Sequence, residues 1–199
     1  GGGWVLGTIE DFDTFARTLA ALSGCTVVLP DYRLAPEAPF PAGLEDTEDT
    51  LRWVHANRDV LADRNSPLVI AGDSAGGNLA TVAARRLARE IPLALQVLYY
   101  PVAGSDFETG SYLEHGTGLP LKARDMTWFF NHYAPNNLWT SPDVIPLAAS
   151  DLSSLPATVV VTAEYDVLAD EGHAYAEKLR QAGLVVTERQ GAGMTHGFI

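Results

Sequence analysis

The chain of 199 residues contains one cysteine, Cys25. A single thiol cannot form an internal disulfide, so nothing points to an oxidising compartment, and a cytoplasmic location is the expectation. Cys25 opens an apolar stretch and reads as a small core residue. No C-x-x-C, no H-E-x-x-H and no His/Asp cluster at metal spacing is present, so no metal site is expected. No run is apolar enough to span a membrane. Basic residues are scarce, 13 Lys and Arg against 25 Asp and Glu, for a net charge of −12. A phosphate backbone needs clustered cations, so nucleic acid and anionic membrane surfaces are excluded as partners. Gly1-Gly2-Gly3 is no phosphate loop either, because no Gly-Lys-Ser/Thr follows it.

What is present fits one globular domain: 47% hydrophobic and 19% charged residues over a single-domain length. The chain has no starting Met, opens on three glycines and stops on Phe198-Ile199 just after a histidine. It is expected to be a fragment of a longer chain, truncated at both ends.

The most informative segment is Gly72-Asp73-Ser74-Ala75-Gly76-Gly77, a G-x-S-x-G sequence between an apolar run, Pro67 to Ala71, and a helical pattern. The run reads as a buried parallel strand. In the helix predicted over 78–90, Leu79, Val82, Ala83 and Leu87 recur at helical spacing, and Arg85, Arg86 and Arg89 fall near its end, where the dipole favours cations. A serine between such elements sits on a tight turn with glycines on either side, its hydroxyl pushed toward a substrate. The plainer alternative is a serine that merely caps the helix.

Elsewhere the pattern predicts a helix over 10–24 stopped by Gly24, a strand over 26–29, and an ordered loop over 31–41 held off helix by Pro36, Pro39 and Pro41. A helix around 45–57 and strands over 93–99 and 157–162 follow. A helix over 168–182 and a last strand over 184–188 complete the pattern. Alternating strands and helices give a three-layer α/β domain, its sheet mostly parallel with helices on both faces. The stretch 102–152 interrupts the alternation, carries many aromatics and reads as an inserted helical piece. Most of those rings are expected to pack the insertion, and one or two to line a substrate pocket.

A serine hydroxyl needs a general base and a third group to orient that base. His55 and His173 fall in predicted helices and His115 and His132 in the insertion, where packing or solvated roles suffice. His196 lies in Gly191 to Gly197, read as a flexible loop after the last strand, on the carboxyl rim of the sheet with Ser74. For the acid, Asp166 emerges from the strand over 157–162 on the same rim. Its rivals are Glu164, Asp170 and Glu171, the last two placed in a helix first turn where the dipole alone favours acids. The order Ser74, Asp166, His196 is that of α/β-hydrolases, not of chymotrypsin or subtilisin. An oxyanion hole could be supplied by the N–H of Ala75 and those of the Gly1-Gly2-Gly3 turn.

These segments together resemble the bacterial hormone-sensitive-lipase-like esterases, a branch of the α/β-hydrolases, over nearly the whole chain. Gly1-Gly2-Gly3-Trp4 is similar to the end of that family's His-Gly-Gly-Gly motif. Asp31-Tyr32-Arg33-Leu34-Ala35-Pro36-Glu37 with Phe40-Pro41-Ala42 is similar to its characteristic loop, and Gly72 to Gly77 resembles its nucleophile motif. Asp166 to Gly172 and His196-Gly197-Phe198 resemble its acid and histidine motifs. The resemblance implies a triad of Ser74, Asp166 and His196, an oxyanion hole of Gly2, Gly3 and Ala75 amides, and a cap insertion at 102–152. It implies hydrolysis of short- to medium-chain carboxylic esters with no cofactor.

The implied partner is a small-molecule ester, and a homodimer is compatible with the sequence. The His expected before Gly1 and the family's opening strands are missing, so the fragment alone is expected to be poorly stable and weakly active, with a sheet edge exposed. Alternatives are an amidase or peptidase of the same fold, a non-catalytic small-molecule receptor like the plant gibberellin receptors, which lack the histidine, and a purely structural domain.

Overall fold

A computed structural model describes all of residues 1–199. After a 3-10 turn at Gly2–Trp4, Thr8 opens helix α1 (Ile9–Ser23), its N–H donating to Asp11 Oδ2 at 2.8 Å, and Gly24 closes it in the left-handed conformation at φ 71°. Then come α2 (Ala42–Ala56), a short α3 (Arg58–Leu61), β1 (Val69–Asp73), α4 (Ala75–Arg86) and β2 (Leu95–Tyr99). The insertion contributes α5 (Gly110–His115) and α6 (Ala123–Tyr133). The chain returns through β3 (Ala157–Tyr165), α7 (Ala169–Gln181) and β4 (Val186–Thr195).

The strands form one sheet in the order β1-β2-β3-β4, every pair parallel, as the strand-helix alternation requires. Leu98 and Val160 point to one face, where they pack with Ala80 and Ala84 of α4 and with Tyr175 and Leu179 of α7. Neighbouring side chains on a strand point to opposite faces, and Tyr99 meets Phe15 of α1 on the other, ring centroids 6.0 Å apart. Helices therefore cover both faces.

A second core joins the insertion to the rim of the sheet: Tyr112, Met126, Phe130 and Tyr133 pack with Trp4, Ala75, Val167 and Leu168. The stretch between β2 and β3 carries α5 and α6, and most of its rings pack it in place.

Several local expectations are corrected. Residues 26–29 join no ladder. A cavity of about 450 Å³, bordered by Phe12, Leu19, Val27, Leu29, Val69 and Ala71, separates them from β1. A strand exists only where a neighbour accepts its hydrogen bonds, and β1 has none on that side. For the same reason β1 is a half-exposed edge strand and not a buried one, Val69 being 41% exposed. Cys25 borders the same cavity and is exposed instead of lying in the core.

Helix α4 begins at Ala75, three residues earlier than its apolar pattern suggests, and ends before Arg89. The predicted glycine loop at 191–197 is largely strand: β4 runs to Thr195, with a register shift opposite Ala163 and Tyr165 that absorbs the extra residues.

Candidate active site

Ser74 joins β1 to α4 in a strained conformation, φ 55° and ψ −120°. The glycines around it are required by contact. A Cβ on Gly72 would lie 2.2 Å from the Gly76 carbonyl oxygen, so no side chain fits where the strand crosses the start of the helix. The turn is pinned by backbone hydrogen bonds. Ser74 N–H donates to Tyr99 O at 2.9 Å, and Ser74 O accepts from Asn78 N–H at 3.1 Å and from Val102 N–H at 3.2 Å. The residue caps α4 by position, but its side chain makes no capping hydrogen bond. Its hydroxyl is directed elsewhere.

That direction is His196, whose Nε2 lies 3.0 Å from Ser74 Oγ. The other ring nitrogen, Nδ1, lies 2.7 Å from Asp166 Oδ2. An ionised carboxylate only accepts, so it selects the tautomer with Nδ1–H and leaves Nε2 free to accept from the serine. Asp166 is held in turn: its Oδ1 accepts the Leu168 N–H at 3.0 Å as the chain passes from β3 into α7. Ser74 and Asp166 are 7% and 1% exposed, so the line of hydrogen bonds runs through a largely dry interior.

The rival acids are engaged elsewhere. Glu164 accepts the Gly193 N–H at 2.6 Å, Asp170 accepts the Ser111 N–H at 2.8 Å, and Glu171 accepts from Ala103 and Gly104. Of the other histidines, His173 pairs with Glu188, His132 contacts the Trp128 carbonyl and His115 meets Tyr165 edge to face.

The 3-10 turn of Gly2–Trp4 lies beside this line, with the nitrogen of Gly1 before it 3.1 Å from Asp73 Oδ1. Asp73 thus lies between the glycine turn and the serine turn. Gly2, Gly3 and Trp4 are all left-handed, at φ 72°, 58° and 62°. Trp4 is buried and stacks on Tyr133 with centroids 4.2 Å apart and planes 4° from parallel, which fastens the turn to the insertion. The ring of Phe129, from the same stretch, lies against Gly3. The N–H groups of Gly2, Gly3 and Ala75 belong to first turns of helices, where backbone donors lack intrahelical acceptors.

Two further residues stand near the site, Tyr100, which the sequence did not single out, and Glu171, which it offered only as a rival acid. Tyr100 is buried with its ring 4.5 Å from that of His196, and burial pushes its phenol pKa up. Its non-glycine φ of 34° could not be foreseen from residue type. Glu171 is 4% exposed, and its Oε1 accepts from Ala103 N–H at 2.8 Å and from Gly104 N–H at 3.2 Å. Burial pushes its carboxyl pKa up to about 8. No helix of the chain is long and apolar enough to cross a membrane.

Known proteins resemble the chain over its full length. Carboxylesterase NlhH of Mycobacterium tuberculosis is 39% identical over 207 residues, which take in 100% of this chain and 64% of NlhH. Ethyl acetate hydrolase of Pseudomonas putida is 37% identical over 204 residues, again 100% of this chain and 64% of the relative. The chain thus spans 64% of the length of these two curated relatives. Among solved structures, a hyperthermophilic esterase from Pyrobaculum calidifontis superposes with a TM-score of 0.94 at 44% identity, covering 100% of this chain and 67% of that one. The family described as alpha/beta hydrolase fold matches across residues 1–199. With its full length matched, its sheet parallel and its serine on the turn between β1 and α4, the chain belongs to the alpha/beta hydrolase fold family.

Proposed function

We propose that this chain is the catalytic domain of a serine carboxylesterase, a single α/β-hydrolase domain over 1–199 with a cap at about 102–152. It would act on short- to medium-chain acyl esters. The observation that carries the reading is the pair of hydrogen bonds that joins Ser74 Oγ to His196 Nε2 at 3.0 Å and His196 Nδ1 to Asp166 at 2.7 Å. It is supported by the names of relatives, a carboxylesterase and an ethyl acetate hydrolase among them.

In the proposed mechanism, Ser74 Oγ attacks the ester carbonyl carbon while its proton passes to His196 Nε2. The electron pair of the carbonyl moves onto oxygen, and the amides of Gly2, Gly3 and Ala75 stabilise that oxyanion. Asp166 stays ionised and stabilises the imidazolium. Collapse of the intermediate breaks the bond to the leaving alkoxide, which takes the proton from His196 and departs as alcohol. Water repeats the sequence on the acyl-enzyme, with His196 again the base, and frees the acid.

A fluorophosphonate tests this reading, with the modified peptide located by mass spectrometry. Labelling of Ser74 that disappears in His196→Ala supports it; no labelling of a folded protein refutes it. Matched ester and amide substrates then separate an esterase from an amidase.

A further inference from the structure

The loop over 31–41 contains the Asp31 to Glu37 segment, yet no role falls to it in the mechanism above. It meets the glycine turn at two points. Tyr32 Oη donates to the Gly1 carbonyl at 2.7 Å, and Ala35 N–H donates to the Trp4 carbonyl at 2.9 Å. The first contact matters chemically, because the Gly1 C=O and the Gly2 N–H belong to one planar peptide unit. In a trans peptide they point in opposite directions, so whatever fixes the carbonyl fixes the aim of the N–H. A hydrogen bond to the oxygen also polarises the amide and makes its N–H a better donor.

The next peptide unit is held by the chain itself: the Gly2 carbonyl accepts Val5 N–H at 3.1 Å and Leu6 N–H at 2.8 Å, which fixes the unit that carries Gly3 N–H. The Gly1–Gly2 unit has no such closure of its own. Tyr32 supplies it from 31 residues away.

Tyr32 is built for this task. Burial first, and then the nearby charge of Asp73, push its phenol pKa up, so the hydroxyl remains a donor. Gly43 of α2 admits the ring: a Cβ there would stand 3.2 Å from both Tyr32 Cδ2 and the Arg33 carbonyl. On the outer side, Arg33 braces the loop with a two-pronged contact to Asp46, its Nε and Nη2 at 2.9 and 2.8 Å.

We propose that Tyr32 is a positioning residue for the reaction: through the Gly1 carbonyl it aims and polarises the Gly2 N–H toward the oxyanion. The inference rests on the esterase reading and on Gly2 as an oxyanion donor. It predicts that the Tyr32 hydroxyl stabilises the transition state and leaves ground-state binding of the ester unchanged.

The test compares Tyr32→Phe with Arg33→Met, which loosens the same loop without touching the Gly1 carbonyl, and with Ser74→Ala. Three readouts are taken: kcat and KM on a p-nitrophenyl ester, inhibition by a trifluoromethyl ketone, and melting temperature. The ketone forms a charged hemiketal on serine. Loss of one oxyanion donor costs roughly 10²- to 10³-fold in kcat, so misaiming one is expected to cost about tenfold. Tyr32→Phe should lower kcat by that factor and weaken the ketone equally, with KM within about twofold of wild type. Arg33→Met should lower the melting temperature at least as much and leave kcat and ketone affinity near wild type.

Wild-type kcat and ketone affinity in Tyr32→Phe overturn the proposal. So does an Arg33→Met that reproduces both losses, because loop stability alone would then explain them. Hydrolysis retained in Ser74→Ala overturns the esterase reading and this inference together.

Discussion

The ring of Tyr100 lies against the imidazole of His196, centroids 4.5 Å apart and planes inclined by 53°. Tyr100 follows directly on β2, two residues before Val102 donates to the Ser74 carbonyl, so one short segment packs His196 and pins Ser74. Replacing the ring with a smaller side chain frees the imidazole to leave its line with Ser74. Tyr100→Ala is expected to lower kcat about tenfold or more, since small misplacements of a catalytic group are costly. Rate of labelling by a fluorophosphonate, measured beside the melting curve, checks this; an unchanged labelling rate in the folded variant contradicts it.

Asp166→Asn keeps the shape of the acid but can offer its N–H₂ to His196 Nδ1. That favours the tautomer with Nε2–H, which cannot accept the serine proton. The expected loss in kcat is about 10⁴-fold, with KM little changed. Steady-state kinetics on a p-nitrophenyl ester decide it, and a loss under about tenfold would show that Asp166 is not the orienting acid.

Glu171 gives a stability prediction with a definite sign. Its pKa is raised on folding to about 8 from a usual value near 4.5, so between those values the native state holds a proton that the unfolded state has lost. Its contribution is complete below about pH 4.5 and is lost as the pH rises through about 8. Glu171→Gln keeps an acceptor for the Ala103 and Gly104 amides and cannot ionise. Relative to this variant, wild type should lose stability from pH 5 to pH 8 in urea titrations. Parallel pH profiles for the two proteins would refute the prediction.

Gly72→Ala should be severe. The added methyl carbon would meet the Gly76 carbonyl oxygen at 2.2 Å, backbone against backbone, with no flexible side chain to yield. Overpacking with backbone shifts commonly costs about 1–3 kcal/mol, and this contact belongs at or beyond the upper end. Denaturant unfolding of the variant measures it; a loss under about 1 kcal/mol would mean the turn can open.

The meeting of Ser74, Asp166 and His196 was legible in the sequence because each follows a strand, and strand ends in a parallel α/β sheet share a rim. Ser74, Asp166 and His196 therefore met without any contact being visible in advance. Elements whose state depends on a neighbour were less legible. Residues 26–29 have strand composition but no ladder partner, and the Gly191 to Met194 stretch looks like a loop yet pairs with β3 around a bulge.

Glu171 looks like a first-turn acid that favours the helix dipole, and it sits in that first turn. That it is buried and binds two amides of the insertion's first residues is a tertiary fact, with no local signature in the sequence. Tyr32 stood within a segment singled out by resemblance, but its use could be seen only once the Gly1 carbonyl was found beneath its hydroxyl.

The serine and the histidine ride on the two outermost strands of the sheet, β1 and β4, with β2 and β3 between them. At about 4.8 Å per strand spacing, those strands stand roughly 14 Å apart, yet the side chains they deliver meet at 3.0 Å. The gap between His196 and Ser74 is thus the closing link of a frame four strands wide, and it registers any shear or twist of that frame. Loosening the ladder between β2 and β3, away from any substrate, should surface first as slower acyl transfer and only later as weaker substrate binding.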